Sequence, residues 1–253
     1  MKKIRVAASI QARMNSKRFP GKVMKKILGK PIIQLQIERL KKSKRIEKII
    51  VATSLNKKDD RLFKFCKKIP GIIIFRGSEN DVLGRISKLI ERYKIVTHVE
   101  CFGDSPLLDP KIIDQYIEKF RKNNFDCITN TLKNTYPAGQ EIIIYKGKKL
   151  LQLNKIIKAS DQLREHVGYN FTRFKDLFLI KNIVAPKKYN FPNIYMEIDR
   201  PIDLIFIKKI FSNFLKEDDK YFSLDQILNF LKKKKNLSKI NNKVYRRWKK
   251  LKR

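Results

Sequence analysis

The chain has 253 residues, 42% of them hydrophobic, which is enough for a buried core and excludes global disorder. Sixty lysines and arginines against 24 acids give a net charge of +36, so a polyanionic partner is the first thought. Lysine far outnumbers arginine and is scattered over every segment, which suits solvation and compositional bias and weighs against nucleic acid.

Ile4–Gln11 reads as a strand and Ile32–Lys42 as a helix with Ile33, Ile37 and Leu40 on one face. Ile49–Thr53 is the next strand, and Asp59–Ile69 a helix begun by an acidic pair. Ile72–Phe75 reads as a strand, Asp81–Tyr93 as a helix and Thr97–Phe102 as a strand. Asp109-Pro110 opens a helix running to about Asn123, because proline fits the first helical turn. Asp126–Asn130 is a further strand. Apolar strands alternating with helices predict an α/β fold with a mostly parallel, doubly wound sheet.

The order changes after Thr131. Tyr136–Tyr145 reads as a turn into a strand, and residues 148–175 as largely helical. Phe178–Val184 and Ile194–Ile198 read as strands and Pro201–Leu215 as a helix, so a smaller mixed α/β region is expected beside the parallel sheet. Residues 1–220 form one expected domain, and 221–253 a separable basic helical extension. That extension holds Ser223–Leu231 with a Ser-x-x-Gln cap, then Lys232–Lys235 and a closing stretch around Trp248, read as a solvated end.

No segment approaches the roughly 20 apolar residues of a membrane span, and the N-terminal apolar run is too short for a signal peptide. Cys66, Cys101 and Cys127 lack zinc-ligand spacing and read as core thiols of a reducing compartment. The expected location is cytoplasmic.

In a parallel α/β sheet, ligands sit outside the carboxyl ends of the strands. Four polar loops fall there: Ala12–Lys22, Ala52–Asn56 with Thr53, Arg76–Arg85, and Phe102–Asp109. The first gathers backbone N–H groups, the Ser16 hydroxyl and the cations Arg13 and Lys22, as a polyphosphate requires. Gly21 allows close backbone approach or serves a plain turn after Pro20. Asp104, after Gly103, can hold a hard cation or cap a turn. Asp199 follows an apolar run in the same way, as a second ligand or a helix cap, with Asp203 set against the helix dipole. Neither Asp59-Asp60 nor Asp218-Asp219 reads as catalytic, and His98 reads as a core or edge residue.

Four segments carry a resemblance: Ile10–Val23 (Ile-Gln-Ala-Arg-Met-Asn-Ser-Lys-Arg-Phe-Pro-Gly-Lys-Val), Phe75–Arg85, Gly103-Asp-Ser-Pro-Leu-Leu-Asp-Pro110 and Arg164-Glu-His-Val167. In this order they resemble the SpsF-type branch of the cytidylyltransferases, relatives of CMP-KDO synthetase and acylneuraminate cytidylyltransferase. The resemblance spans about Ile4 to Leu215. It implies a GT-A-like nucleotidyltransferase fold, a homodimer, and CTP with Mg²⁺ activating an acidic sugar as its CMP conjugate for surface polysaccharide. It further implies that Arg13 and Lys22 bind the triphosphate and, with Asp104, act in catalysis, and that Asp104 and Asp199 bind Mg²⁺; Ala12, Ser16 and Gly21 are expected at the nucleotide beside them. Thr53 and the Arg76, Gly77, Ser78 and Asp81 region are expected to help bind the nucleotide. Met14-Asn15 replaces the Gly-Gly pair of the sialic acid enzymes, and Gly-Asp-Ser-Pro the Gly-Asp-Glu-Pro of the KDO branch.

The acceptor is expected at Tyr136, Gln140, Glu141, Arg164, Glu165 and His166 of the region about 132–195. Arg164 is the natural partner for a carboxylate, and His166 either takes the hydroxyl proton or sits on a helix surface. The competing expectations are a GT-A glycosyltransferase, disfavoured because Gly-Asp-Ser-Pro replaces an Asp-x-Asp, and a non-enzymatic polyanion-binding protein.

Overall fold

The computed structural model describes residues 3–214 and 221–244. In chain order the first half runs β1 (Val6–Gln11), the short hairpin β2 (Lys26–Ile27) and β3 (Lys30–Pro31), α1 (Ile32–Leu40), β4 (Lys48–Ser54) and α2 (Asp60–Lys67). β5 (Ile72–Gly77), α3 (Val82–Tyr93), β6 (Thr97–Phe102), α4 (Pro110–Lys122) and β7 (Cys127–Thr129) follow. β8 (Ile143–Lys146), α5 (Gly147–Ile156), β9 (Ile180–Asn182), α6 (Pro201–Phe214) and α7 (Leu224–Lys233) complete the chain.

One seven-stranded sheet has the order β5-β4-β1-β6-β8-β7-β9, with β8 antiparallel to both neighbours and every other pairing parallel. The predicted mostly parallel α/β sheet is present. β1 lies inside it, between β4 and β6, and its small and β-branched residues are buried on both faces, as a strand covered by helices requires. On one face Val6, Ala8 and Ile10 pack under α1, α2, α4, α6 and α7. On the other, Ala7, Ile50 and Ala52 pack under α3 and α5. Gln11 is level with Ala52 of β4 and Phe102 of β6, so three strands end together and their loops share one rim.

Three stretches differ from the sequence expectation. Ile194–Ile198 is not a strand, because its N–H groups alternate between two loops: Met196 donates to Ala138 and Ile198 to Asp104. In 148–175 only Gly147–Ile156 is α-helical, and 3₁₀ turns at Gln162–Glu165 and Gly168–Phe174 follow. The Arg164 guanidinium takes the Ile157 carbonyl that a longer helix would use. The strand expected to lead out of Tyr136 begins only at Ile143, because the Asn130 side chain occupies the Ile142 N–H and the Gln140 carbonyl.

α7 begins in a capping box between Ser223 and Gln226. Its Ile227, Leu228 and Leu231 share a core with Phe206, Ile207 and Ile210 of α6. Asp109 fastens this segment by accepting the Leu224 N–H at 2.6 Å and the Tyr221 hydroxyl at 2.8 Å. Residues 221–244 are therefore built onto the sheet domain, whereas Trp248 lies outside the described residues. Among the described residues no helix is long and apolar enough to cross a membrane.

Candidate active site

The loop after β1 is organised around one peptide group. The Met14 carbonyl accepts from Ser16 N at 3.0 Å and from Gly21 N at 2.8 Å, while the Met14 N–H donates to Asp59 at 2.6 Å. Gly21 stands at φ 66°, a left-handed conformation that favours glycine and turns the chain toward Lys22. Asp59 is buried and also takes the Ser54 N–H and hydroxyl, so it links this loop to the end of β4.

Two carboxylates approach from other elements. Asp104 follows β6, where Gly103 donates to the Gln11 carbonyl at 3.0 Å; a Cβ on Gly103 would lie 2.9 Å from that oxygen. Asp199 precedes α6, and its N–H and that of Arg200 donate to Asp203, at 3.0 and 2.8 Å. The Lys22 ammonium sits between them, 2.7 Å from Asp104 and 3.2 Å from Asp199, and donates to the Ile198 carbonyl at 2.9 Å. Arg18 reaches Asp199 at 2.7 Å. Burial pulls the Lys22 ammonium down, but attraction to the two carboxylates outweighs it and holds the pKa above its usual value. Burial likewise pushes the Asp199 carboxyl up, and Lys22 and Arg18 together bring it below the usual range.

These residues line one cavity of about 580 Å³ over the carboxyl ends of β1 and β6. Its wall carries six cations, Arg13, Lys17, Arg18, Lys22, Arg85 and Arg200, against the three carboxylates Asp104, Glu165 and Asp199. Arg13 pairs with Glu165 at 3.1 Å. Burial brings Arg85 down to about 10, which leaves it charged at neutral pH. The surplus of positive charge in a concave site suits a polyphosphate.

Beneath the cavity floor lies a buried acid that the spacing did not single out. Glu100 of β6 accepts from Gln11 Nε2 at 2.9 Å and from Gly168 N at 2.8 Å, and the Tyr145 hydroxyl donates to it. Burial pushes its carboxyl up to about 7, with these donors opposing the rise.

Of the residues expected at the nucleotide, Ala12, Arg13, Ser16 and Lys22 line the cavity, and Gly21 shapes the loop behind it. Thr53, Arg76, Gly77, Ser78 and Asp81 are not on its wall. Thr53 is buried. Arg76 turns toward α2, donating to the Ser54 and Asn56 carbonyls and pairing with Asp60 at 2.7 Å. Gly77 packs against Arg85, and the Ser78 carbonyl accepts from the Arg85 guanidinium at 2.7 Å. Asp81 caps α3 through Gly84 N and pairs with Arg164 at 2.8 Å.

The residues expected at the acceptor fall in three places. Glu165 lines the cavity. Arg164 is buried, occupied by Asp81, Asn154 and the Ile157 carbonyl, and His166 is exposed beside Tyr169. Tyr136, Gln140 and Glu141 border a separate small crevice, where Gln140 ties the Asp109 N–H to the Leu107 carbonyl.

The family model described as Cytidylyltransferase matches residues 7–244. The spore coat polysaccharide biosynthesis protein SpsF of Bacillus subtilis is 30% identical over 208 residues, covering 80% of this chain and 84% of its own. The 3-deoxy-manno-octulosonate cytidylyltransferase of Chlamydia trachomatis is 28% identical over 185 residues, covering 71% and 69%. A solved cytidylyltransferase from Leptospira borgpetersenii superposes with a TM-score of 0.87 at 30% identity, over 96% of this chain and 100% of that one. With its fold, its cation-lined cavity and this match across nearly its whole length, the chain belongs to the cytidylyltransferase family and is a CTP-dependent nucleotidyltransferase.

Proposed function

We propose that the protein transfers CMP from CTP to an acidic sugar of the ulosonic or nonulosonic class, for surface polysaccharide biosynthesis. The observation that carries the reading is the convergence of Lys22 with Asp104 and Asp199 inside a cavity otherwise dominated by cations. The sugar class is supported by two relatives, one a spore coat polysaccharide biosynthesis protein and one a 3-deoxy-manno-octulosonate cytidylyltransferase.

In the proposed step the sugar hydroxyl oxygen attacks the α-phosphorus of CTP in line. A bond forms from that oxygen to phosphorus, the bond from phosphorus to the bridging β-phosphate oxygen breaks, and pyrophosphate leaves. The hydroxyl proton is released to water. Such chemistry needs positioning and charge neutralisation more than covalent help. Arg13 and Lys22 bind the phosphates and stabilise the charge that builds on the departing pyrophosphate. Asp104 and Asp199 face one point, the Lys22 ammonium, and two such hard oxygen donors beside phosphates suit Mg²⁺, so these residues would hold it. When bound, the ion supplies further charge neutralisation at the phosphates.

The enzyme is proposed to be a homodimer acting in the cytoplasm. The dimer is supported by apolar residues left exposed beside the edge strand β9, Leu177, Leu179 and Val184, and three buried free thiols suit a reducing compartment.

Incubation with CTP, Mg²⁺ and a panel of ulosonic and nonulosonic acids tests the reading, with pyrophosphate as the readout. Pyrophosphate formed in step with a CMP-sugar is expected. Sugar transfer from a supplied sugar nucleotide without pyrophosphate would favour a glycosyltransferase instead. Silence in both, with salt-sensitive RNA binding, would favour a polyanion-binding protein.

A further inference from the structure

Glu100 is only 2% exposed in a central strand, a costly place for a carboxylate, and the chemistry proposed above does not use it. Its three donors come from different elements: Gln11 at the end of β1, Gly168 in the 3₁₀ turn after Glu165, and Tyr145 of β8. Tyr145 in turn pairs with His98 Nδ1 at 2.8 Å, so the network runs on from Glu100 into the sheet. At its head, Gln11 gives its amide N–H to Glu100. The carboxamide is planar, so its oxygen is the half left for the cavity that Gln11 lines.

Ser16, Lys17, Arg18 and Lys22 reach the cavity from the loop after β1, a cationic lining that suits phosphates, whereas Val82 and Arg85 reach it from α3 and Phe102 stands level with Gln11. Val82 and Phe102 belong to one apolar cluster, which suits a nucleoside. Phosphates carry no donor for an amide oxygen. The donors of CTP are the 4-amino group and the ribose hydroxyls.

We propose that Gln11 is a specificity-determining residue for the nucleoside, its amide oxygen accepting a hydrogen bond from a nucleoside N–H or O–H, and that Glu100 is the positioning residue that keeps this oxygen turned outward. The inference rests on the CTP reading of the cavity and adds to it the group that recognises the nucleoside.

The test measures Kd by calorimetry at pH 8, with Mg²⁺, for CTP, UTP, 2′-deoxy-CTP and 3′-deoxy-CTP. The proteins are the wild type, Gln11→Met and Glu100→Gln, each checked for folding by its melting curve. Gln11→Met keeps the size of the side chain without its acceptor and is expected to weaken CTP about 5- to 10-fold. The loss should vanish for the one analogue that lacks the contacted donor, which tells the amino group from each hydroxyl. Glu100→Gln offers an NH₂ that draws the Gln11 oxygen inward, and it should lose CTP affinity several-fold with the same analogue insensitive. Gln11→Met binding CTP as tightly as the wild type, or losing affinity equally for all four nucleotides, overturns the proposal. Glu100→Gln at wild-type affinity overturns the part given to Glu100. A wild type that binds none of the four overturns the CTP reading and this inference with it.

Discussion

The carboxylate of Asp59 accepts the Met14 N–H at 2.6 Å, so the loop that carries Arg13, Ser16 and Lys22 is hung from the end of β4 by one buried acid. Replacing Asp59 with leucine leaves the Met14 peptide unanchored, and we expect nucleotide Kd to rise about tenfold. Asp59→Asn should do less, because its amide oxygen still accepts from Met14 and its NH₂ can donate to the Ser54 hydroxyl. Equal Kd values for Asp59→Leu and the wild type, by titration calorimetry, would remove Asp59 from loop positioning.

Asp104 and Asp199 share one ammonium, yet their settings differ. Asp104 is a quarter exposed at its side chain, whereas Asp199 is nearly covered and also bound to Arg18. Asp104→Asn should lower CMP transfer by about 100-fold or more while the melting temperature moves little. Near-normal pyrophosphate release by this variant would exclude Asp104 from the reaction centre.

Arg164 was expected to meet a substrate carboxylate, and in the fold it meets Asp81 in a two-point ion pair, at 2.8 and 3.0 Å. It also donates to the Ile157 carbonyl and to Asn154 Oδ1. Arg164→Met should cost about 2 kcal/mol of stability in a denaturant titration, since buried acceptors lose their donor. Unchanged stability with a raised acceptor KM would assign Arg164 to the sugar instead.

Glu100 and His98 make opposite contributions to pH-dependent stability. Burial moves Glu100 from 4.5 up to about 7, so the folded state holds a proton that the unfolded state has lost between those values. Stability therefore falls as pH rises through that window, by about 3 kcal/mol in all. Burial moves His98 from 6.5 down to about 3, so its contribution is lost as pH falls below the higher value. Melting curves from about pH 5 to about pH 8 should show Glu100→Gln gaining on the wild type as pH rises. A difference that stays flat over that range would contradict the buried titration.

The parallel half of the fold was legible because β1, β4 and β5 are largely apolar runs set between amphipathic helices, and β6 keeps Val99, Cys101 and Phe102 at alternate or adjoining positions. The loop cations and Asp104 were legible for a related reason, since polar residues directly after such strands fall on the ligand-binding rim. The 194–198 stretch was not, because an apolar run does not reveal that its N–H groups serve Ala138 and Asp104 in turn. Glu100 and Asp59 were hidden by their partners: Gln11 lies 89 positions from one and Met14 45 from the other. Each looked like an ordinary strand or helix-start acid, and only the fold shows what each one holds.

The central claim is that the α-phosphorus of CTP moves onto a sugar oxygen. Parallel reactions with α-³²P- and γ-³²P-labelled CTP, Mg²⁺ and a ulosonic or nonulosonic acid test it most directly. We expect the α-label in a CMP-sugar and the γ-label in pyrophosphate, in equal amounts. An α-label that stays in CTP or appears only as free CMP, with every sugar of the panel, would contradict the account.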